Sequence, residues 1–210
     1  MFYIKELCPR DQGYKIFDVY LQSRELDGES IHALNGSWMS EIKNETHISL
    51  LYEFLRTSPY VEMAGSKFFL KVEAEVIPFI ADKLISELVL LQCHGVTLVL
   101  DINTPISYYS NTQALYKYLY LLSDYGYEFC FSAYDWRRCY QEQFFITKGV
   151  FKYVRVGPPP LSYIEFNAYL DVCFMMKEEY GINIILDFIK SRDELNLAYS
   201  IPFFALGVNY

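Results

Sequence analysis

Three aspartates, Asp18, Asp101 and Asp187, each fall at the end of a short apolar run in this 210-residue chain. Lys71, Arg155 and the pair Ser132-Ala133 stand in the same relation to three further runs. Carboxylates gathered in one place repel one another or take up protons unless a cation lies among them. The ammonium of Lys71 is on a stem long enough to enter such a group, so Lys71 is expected to neutralise two or more of the acids. Separate solvation of the four groups at an open mouth is the alternative. Arg155, permanently protonated and planar, can grip an anion but carries protons poorly.

Rival constellations are weak. His32, His47 and His94 are scattered without the spacing of helical metal ligands, and His94 before Gly95 reads as a helix C-terminal residue. Cys8, Cys93, Cys130, Cys139 and Cys173 form an odd, widely spaced set with no Cys-x-x-Cys, as expected of reduced thiols in a cytoplasm. Asp135-Trp136-Arg137-Arg138 reads either as an exposed recognition edge or as an ordinary cap in which Asp135 accepts backbone N–H bonds.

The elements that would position these residues alternate. Phe2 to Leu7 and Tyr14 to Leu21 read as opening strands around the turn Pro9-Arg10-Asp11-Gln12-Gly13. After a helix over 46–56, strands are expected at 68–72, 96–102, 128–131, 153–156, 183–188 and 203–208. Helices are expected between them at 77–92, 112–125, 137–145, 162–180 and 192–199. Gly157-Pro158-Pro159-Pro160 forces a loop, because successive prolines fit neither a helix interior nor a strand ladder.

Strand-then-helix units with Val-, Ile- and Phe-rich strands predict an α/β fold with a mostly parallel sheet covered on both faces. The strands are numerous enough to close a TIM-like (β/α) barrel. Such barrels typically take about 250 residues. Outer helices are therefore expected to be short or absent, or the barrel itself shortened or incomplete. A doubly wound open sheet is the alternative, although no glycine-rich phosphate loop follows the first strand. In a barrel, chemistry sits at the carboxyl ends of the strands, where the acids, Lys71 and Arg155 fall.

Composition bounds the partners. With 26 acids against 18 bases, and no stripe of Lys and Arg to displace counterions from phosphates, direct nucleic-acid binding is not expected. A protein or small-molecule partner is favoured. The 20 Tyr and 16 Phe are read mainly as core. The start MFYIKELCPRD has no signal-peptide pattern, and charges break every apolar run before it reaches membrane-spanning length, so a soluble cytoplasmic protein with no membrane partner is expected. No Ser/Gly-rich linker or charge block divides residues 1–210, which are read as one domain.

In order along nearly its whole length, the chain resembles the EAL domains, barrels that hydrolyse the bacterial second messenger cyclic di-GMP. The signature Glu-Ala-Leu-Leu-Arg would fall on Asp18-Val19-Tyr20-Leu21-Gln22, and the metal-binding Asn of the third strand on Lys71. Leu-Glu-Ile-Thr-Glu is similar to Leu100-Asp101-Ile102-Asn103-Thr104, and Asp-Asp-Phe-Gly-Thr-Gly to Ser132-Ala133-Tyr134-Asp135-Trp136-Arg137. The Leu-Lys-Ile-Asp stretch with its catalytic Lys corresponds to Val154-Arg155-Val156-Gly157. Ala-Glu-Gly-Val-Glu-Thr resembles the stretch from Leu186 to Ser191, and a final Gln-Gly-Tyr resembles Leu206-Gly207-Val208.

Set against that pattern, the resemblance implies a vestigial pocket of Asp18, Gln22, Lys71, Asp101, Ser132, Ala133, Arg155 and Asp187, with no catalytic residue, metal or cofactor. Ser132-Ala133 removes two charges where the family has adjacent aspartates, and an ammonium replaces an amide oxygen ligand at Lys71. Each remaining acid is one methylene shorter than the family's Glu, a setback comparable with what hard-cation coordination tolerates. The implied function is that of a catalytically inactive regulator that binds a protein. The partner class is a transcription-factor subunit such as the flagellar master activator, with control of motility or virulence genes. Cyclic di-GMP is not the expected ligand; a non-hydrolysing cyclic di-GMP sensor and a residual phosphodiesterase are the alternatives.

Overall fold

The computed structural model describes residues 2–11, 13, 15–21, 53, 64–132 and 134–208. Eight strands close a barrel in sequence order: β1 (Phe2–Pro9), β2 (Ile16–Leu21), β3 (Lys67–Val72), β4 (Thr97–Ile102), β5 (Glu128–Phe131), β6 (Tyr153–Val156), β7 (Asn183–Ile189) and β8 (Phe203–Val208). β1 runs antiparallel to both β2 and β8, and the other neighbours are parallel. The TIM-like barrel expected from the strand–helix alternation is the fold observed, and of the alternatives left open for its length the barrel is closed rather than incomplete. The economy of length comes in part from the short turn joining β1 to β2, since an antiparallel pair needs no crossover helix.

The described helices are α1 (Ile77–Cys93), α2 (Thr112–Asp124), α3 (Cys139–Ile146), α4 (Tyr163–Phe174), extended by a wide turn over Met175–Glu179, and α5 (Arg192–Ala198). Their ends follow the local chemistry. His94 is the C-cap residue that follows α1, and Gly95, at φ 62°, takes the left-handed turn into β4. The Asn111 side chain accepts from the Ala114 N–H at the start of α2, and Ser191 with Glu194 forms a reciprocal capping box on α5. Of the expected helix over 46–56, Glu53 alone lies among the described residues, in helical conformation.

Strand alternation sorts side chains into two shells. Inside the barrel, one residue from each strand makes a compact floor: Leu7, Ile16, Phe69, Val99, Cys130, Tyr153, Ile185 and Ala205. Outward neighbours such as Phe68, Leu100, Phe129 and Ile184 pack against Ile80, Leu84, Leu115, Leu119 and Tyr169 of the helices. Tyrosine suits this outer shell because its ring is buried while its hydroxyl ties two elements together. Tyr116 donates to the Phe145 carbonyl at 2.5 Å, Tyr127 to Leu84 at 2.6 Å and Tyr169 to Gly157 at 2.7 Å.

The amino-terminal end of the barrel is closed by Glu128. Burial would raise the pKa of this carboxyl, but hydrogen bonds from Lys67 (2.7 Å), Tyr153 (2.8 Å) and Lys152 (3.1 Å) hold it below the usual range. A depressed folded-state pKa contributes stability that is present above the ordinary glutamate value and is lost as pH falls through the lowered one. Glu128→Gln is expected to cost about 1.5 kcal/mol at pH 7 by urea titration. It should also flatten the acid limb of the stability profile; an unchanged limb would show that the three donors contribute nothing.

Candidate functional site

Two residues beyond the floor, on the same inward face, each strand presents its next side chain. On β2 to β8 these are Asp18, Lys71, Asp101, Ser132 just past β5, Arg155, Asp187 and Gly207. β1 runs the other way, so its equivalent position precedes Leu7 and is Lys5, which pairs in register with Asp18. Around the barrel the order is Lys5, Asp18, Lys71, Asp101, Ser132, Arg155, Asp187, Gly207. Each of the three cations adjoins an acid, and the described inward groups comprise three cations and three acids. Lys71 and Asp101 are likewise register partners.

Arg155 organises the centre, and each of its three guanidinium nitrogens meets a different carboxylate. Nη2 contacts Asp18, Nε approaches Asp101 at 2.7 Å, and Nη1 approaches Asp187 at 2.9 Å. Nη1 also donates to the second oxygen of Asp18 at 3.1 Å. The Asp101 contact is a close ion pair without hydrogen-bond alignment. Arg155, Asp18 and Asp101 are almost completely buried, whereas the Asp187 side chain keeps 14 % exposure. Below, the guanidinium carbon lies 5.2 Å from the centre of the Phe69 ring, so the aromatic floor adds a cation–π contact.

The cation whose ion pairs reach all three acids is Arg155, while Lys71, half-buried beside Asp101, acts on Asp187 through its charge. Arg155 can serve because a planar fork addresses three directions at once, which an ammonium cannot do with the same fixed geometry.

Titration follows from these contacts. Burial would lower the pKa of Arg155, but Asp101, Asp18 and Asp187 together raise it well above its ordinary value. The Cys130 thiol beneath is held protonated by burial, with the adjoining Asp101 charge adding to the shift. Burial raises the pKa of Asp187, with Asp18 acting in the same sense and Arg155 opposing. A raised acid contributes stability that is fully present below the ordinary aspartate value and declines as pH rises through the raised one. Asp187→Asn is therefore expected to cost less at pH 7 than Asp101→Asn, in paired urea titrations. Equal losses would contradict the assignment.

Local backbone supports the cluster. β7 and β8 slip register between Leu186 and Ile189, and Phe188 sits at φ 61°, an uncommon conformation for an aromatic residue. This bulge adjoins Asp187. Gly207 leaves the carboxylate its space: a Cβ there would lie 2.2 Å from Asp187 Oδ1. Ser132 turns back to β4, its N–H donating to the Ile102 carbonyl at 2.8 Å and its hydroxyl to the same oxygen at 3.4 Å.

Of the expected site residues, Asp18, Lys71, Asp101, Ser132, Arg155 and Asp187 share one inward layer, and Gln22 and Ala133 lie outside the described residues, as do His32 and His47. Lys5 was not among the expected residues. Asp135 adopts its capping role, accepting from the Arg137 N–H at 3.0 Å. Cys8, Cys93, Cys130 and Cys173 carry free thiols. No described helix is long and apolar enough to cross a membrane.

A closed eight-stranded barrel with its first strand reversed and polar groups at the carboxyl ends of the parallel strands is the fold of the EAL domains. Among solved structures, the chain is similar to the PaMucR phosphodiesterase in complex with c-di-GMP, with TM-score 0.72 and 10% identity over 98% of this chain and 92% of that one. It is also similar to the Vibrio cholerae LapD S helix-GGDEF-EAL structure bound to c-di-GMP, with TM-score 0.70, 10% identity and 98% coverage. The Bacillus subtilis YkuI protein, with an EAL domain in complex with substrate c-di-GMP and calcium, superposes with TM-score 0.68 and 14% identity over 99% of this chain. The chain spans about half, 52%, of the LapD and YkuI chains. No protein-family model and no curated protein matches the sequence.

Proposed function

We propose that this EAL-fold protein is a non-hydrolytic regulator that acts in the cytoplasm by binding another protein. The partner class we infer is a subunit of a transcriptional activator such as the flagellar master regulator, through which motility or virulence genes would be controlled. The observation that carries the reading is the position of Arg155. Hydrolysis of a phosphodiester by divalent cations needs carboxylates converging on the metal and water, with the cations polarising phosphate and nucleophile. Here the three acids converge on a guanidinium, with Lys5 and Lys71 in the same layer, so a dication would have to displace a buried cation already satisfied by three carboxylates. The residues do not fit a metal pair.

The same contacts speak against tight capture of the nucleotide phosphates, since the Arg155 fork is already occupied by carboxylates. A cyclic di-GMP sensor remains the second reading because the similar structures of MucR, LapD and YkuI are described with that ligand. Incubation of the purified protein with cyclic di-GMP and Mn²⁺, with chromatography of the linear product and calorimetry in parallel, tests both. Neither turnover nor heat is expected. Product abolished by Asp101→Asn would overturn the proposal, and binding without turnover would establish the sensor.

A further inference from the structure

A rigid apolar ridge stands on the rim of the barrel mouth, apart from the charged layer inside it. Pro158-Pro159-Pro160 leaves β6 and is followed by Leu161, Tyr163 and Ile164, which are 64%, 78% and 81% exposed. Large apolar side chains exposed singly are ordinary, but three within four residues form a patch that solvent alone does not favour. Prolines limit the backbone freedom of the approach, and the first turn of α4 fixes the rest, so little conformational entropy remains to be lost on contact. The ridge is braced from behind: Trp136 packs edge-on against Tyr169 of α4 at 5.4 Å, and Arg137 stacks on Trp136 while reaching Glu165 at 3.5 Å.

Along α4 and its extension, acids outnumber bases, and Glu165 at the start is already paired with Arg137. Between Ser162 and Tyr180 the helix and its extension carry Glu165, Asp171, Glu178 and Glu179 against one base, Lys177. All four acids are exposed, whereas Lys177 is half-buried and donates to the Asn183 side chain at 2.9 Å. Phe174, 45% exposed, adds a second apolar contact further along α4. An exposed helix with apolar anchors at its start and acids along its length complements a segment of opposite character.

We propose that the Leu161–Ile164 ridge and the exposed side of α4 form the docking surface for a basic amphipathic segment of a partner protein, its apolar side on the ridge and its Lys and Arg toward Asp171, Glu178 and Glu179. The inference deepens the reading of this protein as a binding regulator and rests on it. A second copy of this chain is a poorer occupant, because its own α4 would bring like charges together.

The test uses the whole protein and a fluorescein-labelled amphipathic helical peptide of leucine and lysine, followed by anisotropy, with the leucine–glutamate counterpart as its partner probe. The basic peptide is expected to bind and the acidic one not to. Ile164→Glu or Leu161→Ser should weaken binding about tenfold or more, and Asp171→Asn with Glu178→Gln should reduce its salt dependence. Phe79→Ser on α1, a site equally open at 75% exposure, should leave binding unchanged. Equal binding of both peptides, or losses as large at Phe79 as at Ile164, would overturn the proposal. So would a wild-type dimer in sedimentation velocity that Ile164→Glu converts to monomer. Turnover of cyclic di-GMP would remove the regulatory reading while leaving the ridge result standing, and the two failures are thus distinguishable.

Discussion

Arg155→Met is expected to destabilise the fold by about 3–5 kcal/mol at pH 7, the cost of leaving buried charges without their partner. For a chain of this length that corresponds to a fall in melting temperature of roughly 10 °C. The loss should shrink in acid. Without the guanidinium, Asp187 keeps its burial and loses the counter-charge that opposes the upward shift of its pKa, which then rises further above the ordinary value of about 3.9. Stability tied to such a group is intact below that value and declines as pH climbs through the raised one. Urea titrations at pH 4.5 and 7.5 read the difference directly. Should the variant not fold at neutral pH, the companion is Arg155→Met with Asp18→Leu and Asp101→Leu. Exchanging the buried ions together for apolar groups should recover most of the loss, because the penalty comes from unpaired charge. A single variant within about 0.5 kcal/mol of the wild type, or a triple variant worse than the single, would show that the cluster is not the central tie described above.

Gly207→Ala should cost about 2–3 kcal/mol although it adds one methyl group. The new Cβ would lie 2.2 Å from Asp187 Oδ1 and 3.5 Å from the Asp187 Cα, so the carboxylate must leave Arg155 or the bulge of β7 must shift. A flexible side chain could swing away cheaply; one held by an ion pair on one side and a register slip on the other cannot. The measurement is a double-mutant cycle with Asp187→Ala, which removes the obstructed atoms. A positive coupling of about 1 kcal/mol or more is expected, and strict additivity would place the strain elsewhere.

These two residues also mark how far the sequence could be read. Strand positions were legible because each Val-, Ile- or Phe-rich run is bounded by Gly, Asn or Pro, and period-two alternation then fixes which side chain shares a face with the floor. Asp18, Lys71, Asp101, Arg155 and Asp187 follow from that rule. Lys5 did not, because the rule of carboxyl ends holds for strands that run toward the mouth, and β1 runs away from it. The central place of Arg155 was illegible for another reason. Lys71 and Arg155 are both long cations on inward faces, and the reach of Arg155 to all three acids depends on barrel stagger and on the Phe69 ring beneath, neither of which is a local property. Nor does any residue pattern announce Phe188 at positive φ; that conformation is imposed by the slip of β7 against β8.

The reversed first strand has a temporal consequence. Cys8 and Pro9 zip against Leu206 and Ala205, and the Arg10 guanidinium donates to the Ile201 carbonyl across 191 positions of chain. That seam cannot form on the ribosome until nearly all of the described chain has emerged. Until then both margins of the sheet stay open, and newly made copies can cross-pair with one another instead of sealing. Crowded expression should therefore favour tangled assemblies over soluble barrels, more so at temperatures that slow the final stitch relative to encounter.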